Sequence, residues 1–522
     1  MMLVKNSPLL VAITVIVSVL ITLWAVTVDP IVNPDALIYL SAADEFSKGN
    51  IGNAFELYKW PFYSIAIAFI KSITAASPQT AAYILNGIMH AFAMLGFLAC
   101  VHALGGNKRT LMIAAILILF FPSFNKYRSF IIRDAGFLTF YLWSLYHLFF
   151  FIKTEHLQRL AYAFILIFIA MLFRIEAIAL ICIIPLYLLY SRSTNKKIRY
   201  VWLFLTLTGS FALFFGISIW LFGEHSKNID PGYLGLFQGS LEQLGASLDF
   251  KLKVIRQQLL NEFSLKLAPA VLIITVACIS IYEPLRRLSY IFAFFAWHTV
   301  KKKLALQDKK TRHLFYIICL IQFALLFIFA LINMFLVSRH TMALTLTVLL
   351  LAPFSLEYFW DQWQSRKLGN NIGVLKWTIP LFASLLLIHA IDGLDLKTNK
   401  IEVKEAGEWI AKTLPTDKYH IYSNNPLLLH YAGKNPAHYY LHFHWKELDD
   451  LLVTKRIYDF DYAAITLTKD IQITRDYISG ALLMEPVHEK MFENNRTVLI
   501  YKLHKEKNED PFNTRYLKIQ SQ

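Results

Sequence analysis

Long apolar runs separated by short polar segments dominate this chain. The first run, from about Pro8 to Val28, carries no charge. At about 1.5 Å per residue it is long enough to cross a hydrocarbon core of about 30 Å. Similar runs lie near 79–103, 110–122, 135–152, 160–173, 177–190, 200–222, 267–283, 313–337, 341–359 and 374–391. The pattern therefore predicts a polytopic α-helical membrane protein with about 11 transmembrane helices.

One aromatic segment leaves two interpretations open. LSYIFAFFAWH, from Leu288 to His298, is either a short span or an interfacial helix. The cysteines carry no CxxC pairing and lie inside apolar runs, so we interpret them as small hydrophobic residues; they are Cys100, Cys182, Cys278 and Cys319.

The basic residues predict the orientation of these helices. The short loops GGNKR, SRSTNKKIRY, WHTVKKKLALQDKKTRH and QSRKLGNNIGVLK fall on one side together with Lys5, and such loops mark the cytoplasm. Orientation thus accounts for much of the net charge of +15. A nucleic acid partner is excluded, because it requires a continuous basic face on a soluble domain, whereas anionic cytoplasmic lipid suits these loops.

The composition changes at about Asp395. Charges and prolines become frequent, and the apolar runs YHIYS, YAAITL and TVLIYKL have the length of strands. KEAGEWIAKTL has helical spacing and is followed by Pro415. We expect a transmembrane domain over 1–394 and a small soluble α/β domain over 395–522, which the helix count places on the external side.

Three short segments place charged residues at the external ends of spans. They are NPDALIYL with Asp35, RSFIIRDAGFLTF with Arg133 and Asp134, and MFLVSRHTMAL with Arg339 and His340. Charged residues at a membrane boundary are usually functional when they face a cavity. Structural roles remain the alternative: a turn at NPD, a helix cap at Asp134 and a helix-end anchor at Arg339.

Two further polar segments are candidates for substrate contact. ELYKWPF carries Glu56 and Lys59, and a snorkelling interfacial lysine is the alternative interpretation of Lys59. LFRIEAIAL carries Arg174 and Glu176 within an apolar stretch, where a mutual ion pair at a tight turn explains them equally well.

The order of these segments resembles a known family. A first helix, an Asp in the first external loop, an amphipathic stretch with Lys and Pro, a second external acid and a C-terminal αβ domain resemble the GT-C glycosyltransferases. Within that superfamily the chain is similar to the aminoarabinose transferase and protein O-mannosyltransferase group. AGEWIAKTLPTDKYHIYSNNPLLLHYAGKNP is similar to the pattern that follows the family's last span. The resemblance implies a GT-C fold that transfers sugar from a polyprenyl-phosphate-linked donor.

The resemblance also implies roles for individual residues. Asp35 matches the first-loop acid and is the expected base or acceptor-orienting group, and Asp134 matches the second external acid. Lys59 matches a lysine that contacts the lipid phosphate, and Arg339 with His340 matches a phosphate-binding pair. We expect Glu56, Arg133 and Arg174 to contribute to substrate binding.

The sequence leaves a metal ion open. Asp35 and Asp134 are the candidate ligands for a divalent cation, but no His cluster with metal spacing accompanies them. We interpret the histidines of HYYLHFHW as packing residues of a sheet, with sugar contact or a transient metal as the alternative; they are His438, His442 and His444.

Three other functional classes compete with a glycosyltransferase, and a non-catalytic scaffold is one of them. A transporter or flippase is expected to carry charges in mid-span and an internal repeat, neither of which is clear here. A lipid-linked oligosaccharide polymerase or ligase explains the first-loop Asp and the C-terminal domain less well.

We expect a lipid, protein or glycan acceptor and a site on the periplasmic side of a bacterial inner membrane. The sequence names neither the sugar nor the acceptor.

Overall fold

The computed structural model describes residues 7–181, 245–367, 401–414, 419–434, 445–467, 474–491 and 497–503, and also residues 184, 187, 209, 384, 388 and 391. The chain divides into two compact units. The first comprises Met1–Val28 and Ala42–Leu396, and the second comprises Asp29–Ser41 and Lys397–Gln522. Half of the predicted span at 177–190 and most of the predicted spans at 200–222 and 374–391 lie outside the described residues, as do Cys182, His438, His442 and His444.

The described part of the first unit is helical. Its α-helices are Pro8–Val28, Ile51–Leu57, Phe62–Thr74, Pro78–Ala103, Lys108–Leu119, Pro122–Asn125, Asp134–Thr154, Leu157–Phe173, Ala268–Leu288, Tyr290–Lys301, Lys309–Asn333, Ser338–Leu349 and Ala352–Lys367. Short 3₁₀ and π turns lie at Ile175–Ala177, Ile255–Leu259 and Glu262–Leu267. A further helix, Pro34–Ser47, begins in the second unit.

Five helices among the described residues are long and apolar enough to cross a membrane: Pro8–Val28, Pro78–Ala103, Asp134–Thr154, Glu262–Leu288 and Lys309–Asn333. A sixth span results if Ser338–Leu349 and Ala352–Ser365, which meet at a bend of 42°, are counted together. Each of these agrees in position with a predicted span. The chain is therefore an integral membrane protein.

Several apolar runs form helices that are shorter than a span. Lys108–Leu119 has 12 residues and Leu157–Phe173 has 17. The aromatic segment forms Tyr290–Lys301, whose 12 residues reach about 18 Å and so do not cross a 30 Å core. On one face Tyr290, Phe294 and Trp297 are exposed, and Lys301 lies over the Trp297 ring at 4.7 Å. This pattern favours the interfacial interpretation.

The second unit contains a four-stranded sheet. The strands are β1 Ile421–Ser423, β2 Tyr462–Leu467, β3 His488–Met491 and β4 Thr497–Lys502, in the order β1-β2-β4-β3. β1 pairs with β2 in parallel, and the other two pairs are antiparallel. The helices of this unit after Lys397 are Ile401–Thr413, Pro426–Tyr431, Trp445–Val453 and Arg475–Leu482.

One hydrophobic core joins the sheet to its helices. Ala463, Ile465 and Leu499 are fully buried on the two central strands, and Leu448 and Ile478 cover them from helices. Successive residues of β2 and β4 are buried on both faces, as expected for central strands with elements on either side. The sheet thus gives the second unit a core of its own.

Candidate functional site

A guanidinium and two carboxylates form an ion-pair group in the first unit. Arg174 Nη1 donates to Asp134 Oδ1, while Arg174 Nη2 donates to Glu176 Oε1 at 2.5 Å and Arg174 Nε donates to the same oxygen at 3.2 Å. The exposed fractions of the side chains are 10% for Arg174, 12% for Asp134 and 34% for Glu176. Burial raises the pKa of Glu176, but the charge and hydrogen bonds of Arg174, with a smaller contribution from Arg133, together outweigh burial and lower the pKa to about 2. Glu176 therefore stays ionised at neutral pH.

Local backbone geometry directs Arg174 toward Asp134. The helix Leu157–Phe173 ends because Arg174 is extended, with φ −142° and ψ 122°. Gly136 allows the approach: a Cβ there would lie 2.3 Å from Phe173 Cε1. The Phe173 ring consequently packs against the first turn of the helix Asp134–Thr154, and the next residue, Arg174, reaches Asp134 and lies over the Phe137 ring at 5.6 Å.

More charged residues surround this group. His340 lies within electrostatic range of Arg174, Asp134 and Glu176 and follows Arg339 directly in the chain. Arg133 also acts electrostatically on Glu176 and precedes Asp134. We call the six residues Arg133, Asp134, Arg174, Glu176, Arg339 and His340 the charged cluster. Its three guanidiniums outnumber its two carboxylates, so the cluster has an excess of positive charge.

The helix Ser338–Leu349 brings Arg339 and His340 to the cluster. Its first residue, Ser338, shares a hydrogen bond between hydroxyl groups with Tyr127. The His340 ring packs on Phe329 with the ring centroids 4.0 Å apart. His340 Nδ1 is buried and has no hydrogen-bond partner among the described residues.

The segment between Pro122 and Arg133 is held from two sides. Arg128 is fully buried, and its Nη1 donates to the Ser18 carbonyl at 2.9 Å and to Thr22 Oγ1 at 2.6 Å. Asn86 Nδ2 donates to the Phe130 carbonyl at 2.8 Å. These three hydrogen bonds hold the segment that leads into Arg133 and Asp134, so they support the geometry of the cluster.

Lys59 lies between two residues that are anchored beside the cluster. The Tyr58 hydroxyl accepts a hydrogen bond from Arg133 Nη1 at 2.7 Å, and Trp60 Nε1 donates to the Leu172 carbonyl at 2.7 Å. The Lys59 side chain is exposed and forms no hydrogen bond or ion pair with the described residues. The structure thus sets the Lys59 backbone near Arg133 while leaving the ammonium group at the surface.

Glu56 is less constrained than Lys59. It is exposed near the end of the helix Ile51–Leu57, and no described residue pairs with its carboxylate. The structure therefore gives Glu56 no place in the charged cluster.

Asp35 belongs to the second unit. It occupies the first turn of the helix Pro34–Ser47 and is partly exposed. Val32, Ala36 and Leu37 are buried, with exposed fractions of 1%, 0% and 1%, whereas Pro34 is exposed. The structure therefore presents Asp35 as a partly accessible carboxylate between exposed Pro34 and buried Ala36.

The described residues show no arrangement suited to a metal ion. Among them, no group of three or more His, Cys, Asp or Glu side chains is placed to hold a cation. The Asp134 carboxylate is engaged by Arg174. Buried His90 directs Nδ1 to the Asn86 carbonyl at 2.8 Å, which is a packing contact.

Sequence reasoning overlooked the residues that hold the cluster in place. Arg128 lies five residues before Arg133, at the start of the segment RSFIIRDAGFLTF. An arginine in so apolar a stretch can be recognised from the sequence as a candidate for a buried structural or functional role. Tyr58 and Asn86 carry no such signal, because their roles come from contacts with distant segments.

Comparison with known families identifies one match. Residues 59–220 are similar to the dolichyl-phosphate-mannose-protein mannosyltransferase family. The matched range contains Lys59, Arg133, Asp134 and Arg174. This family is one of the GT-C glycosyltransferases, so the match confirms the predicted resemblance. No curated protein matches the chain.

Two solved structures are similar at low identity. The Archaeoglobus fulgidus oligosaccharyltransferase tethered with an acceptor peptide shares 13% identity over 77% of this chain and 57% of its own, with a TM-score of 0.46. The archaeal oligosaccharyltransferase AglB from the same organism, in complex with an inhibitory peptide and a dolichol-phosphate, shares 12% identity over 96% and 75%, with a TM-score of 0.47. The chain thus spans less than two thirds of the first of these structures.

Proposed function

We propose that this chain, a glycosyltransferase of the GT-C superfamily, moves a sugar from a polyprenyl-phosphate-linked donor to an acceptor at the external membrane face. The observation that supports the proposal best is the charged cluster. Three guanidiniums collect there at the ends of apolar helices, with two carboxylates that offset part of their charge. Fixed positive charge in a site of low dielectric suits a lipid phosphate.

The arginines divide into two roles in this proposal. Arg174 has donors committed to Asp134 and Glu176, so it serves as a fixed charge that organises the cluster. Arg133 and Arg339 contact the phosphate of the donor directly. Planar guanidiniums suit this task because they bind phosphate oxygens with two parallel hydrogen bonds.

We assign three more side chains to the proposed donor site. Lys59 adds a point charge beside Arg133, and its exposed ammonium group is suited to a ligand that enters from the membrane boundary. His340 adds a partly buried imidazole beside Arg339 and within electrostatic range of Arg174, and we assign it to the same donor site. Glu56 is assigned to sugar contact on its position in the ELYKWPF segment alone.

The reaction balances without a redox partner. The acceptor oxygen or nitrogen forms a bond to the anomeric carbon as the bond from that carbon to the phosphate oxygen breaks. The electron pair leaves on the phosphate, where Arg133 and Arg339 stabilise the developing charge. The acceptor proton passes to Asp35, which acts as base or orients the acceptor. Polyprenyl phosphate is the second product.

The apolar runs and the basic loops predict how the chain lies in the membrane. We assign residues 1–394 to a transmembrane domain with about 11 helices and residues 395–522 to a soluble α/β domain. The four-stranded sheet with its own core supports the second assignment. The basic short loops support a cytoplasmic N-terminus, which puts Asp35 and the α/β domain on the periplasmic side of a bacterial inner membrane.

Binding of the lipid product tests the phosphate assignment. Labelled undecaprenyl phosphate and dolichyl phosphate are titrated against the purified protein in nanodiscs. Losing one charge-assisted hydrogen bond costs about 1.5–3 kcal/mol, so Arg133→Gln and Arg339→Gln should each weaken binding roughly 10- to 100-fold. The same change at Lys59 should weaken it less, because the ammonium group is exposed.

A matched control separates a local effect from general damage. Arg109 pairs with Asp361 on the same unit, and both side chains are about half exposed, at 51% and 53%. Arg109→Gln should leave the affinity unchanged. Equal binding by Arg133→Gln, Arg339→Gln and wild type would refute the phosphate assignment, and equal binding of polyprenol without phosphate would show that only the lipid tail is recognised.

A further inference from the structure

The chain leading to Asp35 is tied to a tyrosine near the other end of the sequence. The backbone N–H of Val32 donates to Tyr431 Oη at 3.0 Å, across a sequence separation of 399 residues. Both residues belong to the second unit. Val32 is 1% exposed, so water does not readily replace this partner.

The bond to Val32 sets the start of the helix that carries Asp35. The Asn33 carbonyl accepts the first helical hydrogen bond, from Ala36 N at 3.0 Å. Pro34 stands at the first helical position, where its fixed φ suits the helix. Two residues therefore separate the restrained Val32 amide from Asp35, and neither has much freedom.

Tyr431 is itself held by the packing of two helices. It ends the helix Pro426–Tyr431, which packs on Ile401–Thr413 at Gly407. A Cβ at Gly407 would lie 2.6 Å from Tyr431 Cβ and 2.7 Å from the Leu428 carbonyl oxygen, so this close approach requires glycine. Lys404 Nζ lies 5.9 Å from the Tyr431 ring centroid. The hydroxyl is thus a fixed point to which the Val32 amide attaches.

We propose that Tyr431 is a positioning residue for Asp35. Its hydroxyl holds the amide that leads into the first turn of Pro34–Ser47 and so fixes where the Asp35 carboxylate points. The α/β unit then acts in the reaction through the segment Asp29–Ser41. This inference rests on the proposed role of Asp35 in sugar transfer.

The test compares two tyrosine hydroxyls of the same unit. Tyr431→Phe removes the acceptor of the Val32 amide and keeps the ring packed. Tyr477→Phe is the matched control, since Tyr477 Oη donates to Asp449 Oδ1 at 2.7 Å on the surface. Hydrogen–deuterium exchange over residues 29–41 should become faster in Tyr431→Phe and should stay at the wild-type rate in Tyr477→Phe.

Turnover shows whether the restraint matters for chemistry. The probes are undecaprenyl-phosphate and dolichyl-phosphate mannose labelled in the sugar, and the full-length protein in nanodiscs is assayed for release of the lipid phosphate. A misplacement of about 1 Å costs on the order of 100-fold, so a loosened helix start should lower kcat roughly 10-fold. Binding of undecaprenyl phosphate should be unchanged, which separates positioning from loss of the fold.

A double variant shows that Tyr431 acts through Asp35. Asp35→Asn with Tyr431→Phe should be no slower than Asp35→Asn alone, because the positioned group is already absent. Unchanged exchange over 29–41 in Tyr431→Phe would overturn the inference, and so would faster exchange with wild-type kcat. If Asp35→Asn keeps the wild-type kcat, the proposed role of Asp35 in sugar transfer fails together with that of Tyr431. If Asp35→Asn is inactive while Tyr431→Phe keeps the wild-type kcat, only the role of Tyr431 fails.

Discussion

Replacing Arg174 with glutamine should destabilise the protein far more than replacing an exposed arginine. Arg174 is the guanidinium that pairs with both Asp134 and Glu176, and without it two partly buried carboxylates lose their cationic partner. Breaking a buried pair costs about 3–5 kcal/mol, since one charge is left uncompensated. The one-third exposure of Glu176 allows some solvation, so we expect a loss at the lower end, about 3 kcal/mol.

The lowered pKa of Glu176 leads to a similar value for the loss of stability in Arg174→Gln. Its fall from 4.5 to about 2 corresponds to roughly 3 kcal/mol at about 1.4 kcal/mol per unit. Screening by solvent at a side chain that is 34% exposed reduces this to about 1–2 kcal/mol. The remainder of the loss comes from Asp134, whose side chain is 12% exposed.

Thermal unfolding in nanodiscs, followed by tryptophan fluorescence at one fixed scan rate, measures the effect. At about 2 °C per kcal/mol for a large unit, Arg174→Gln should lower Tm by about 6 °C. Arg109→Gln should lower it by less than about 2 °C, because exposed pairs contribute about 0–1 kcal/mol. Adding Asp134→Asn to Arg174→Gln should restore part of the loss.

The defect should also depend on pH. In the wild type the depressed pKa of Glu176 stabilises the fold above about 4.5, and this contribution is lost as pH falls toward about 2. Without Arg174, burial raises the pKa of Glu176, so its charge destabilises the fold at neutral pH and is relieved as pH falls. The Tm difference should therefore narrow between pH 7 and pH 5. Equal Tm values for Arg174→Gln and Arg109→Gln at pH 7 would refute the reasoning.

Cysteines introduced beside Asp35 and after Asp395 should react with an impermeant reagent from the same, non-cytoplasmic side, and labelling from opposite sides would contradict the topology. Asp35→Asn should insert into the membrane normally but should lower the rate of sugar transfer on the order of 100-fold. Asp44 lies on the same helix and pairs with Lys71, so Asp44→Asn is the control and should keep the wild-type rate. Gly136→Ala should cost roughly 1–3 kcal/mol, measured as Tm, because the added Cβ displaces the Phe173 ring; a wild-type Tm would show that the ring moves freely.

Run length and hydropathy predicted the positions of the long spans correctly but did not reveal the interruptions in two of the apolar runs. The predicted span at 341–359 is bent by 42°, and the break precedes Pro353, which cannot donate to the carbonyl four residues earlier. The run at 110–122 forms a 12-residue helix that ends before Pro122. In both cases a proline lies at the interruption. Ending each predicted helix at the residue before the proline would therefore have located both interruptions.

The charged cluster shows what a sequence cannot provide. Charged residues in apolar surroundings singled out Arg133, Asp134 and Arg174 as candidates, because burying a charge is costly without a purpose. Their association depends on the close approach at Gly136 and on the contact of Arg128 with Ser18, 110 residues away. Such packing between distant segments leaves no local pattern in the sequence. The hydrogen bond between Val32 and Tyr431 leaves none either.

Cleavage of a lipid-linked sugar by the purified protein tests the central claim most directly. The protein in sealed vesicles is given undecaprenyl-phosphate and dolichyl-phosphate mannose with separate labels on sugar and lipid, together with the corresponding diphosphate-linked donors. We predict that the monophosphate donors release polyprenyl phosphate and pass the sugar to an acceptor or to water, and that Asp35→Asn and Arg339→Gln slow the release. Preference for diphosphate donors would favour a polymerase or ligase. Movement of the intact donor across the bilayer without cleavage would contradict the glycosyltransferase and identify a flippase.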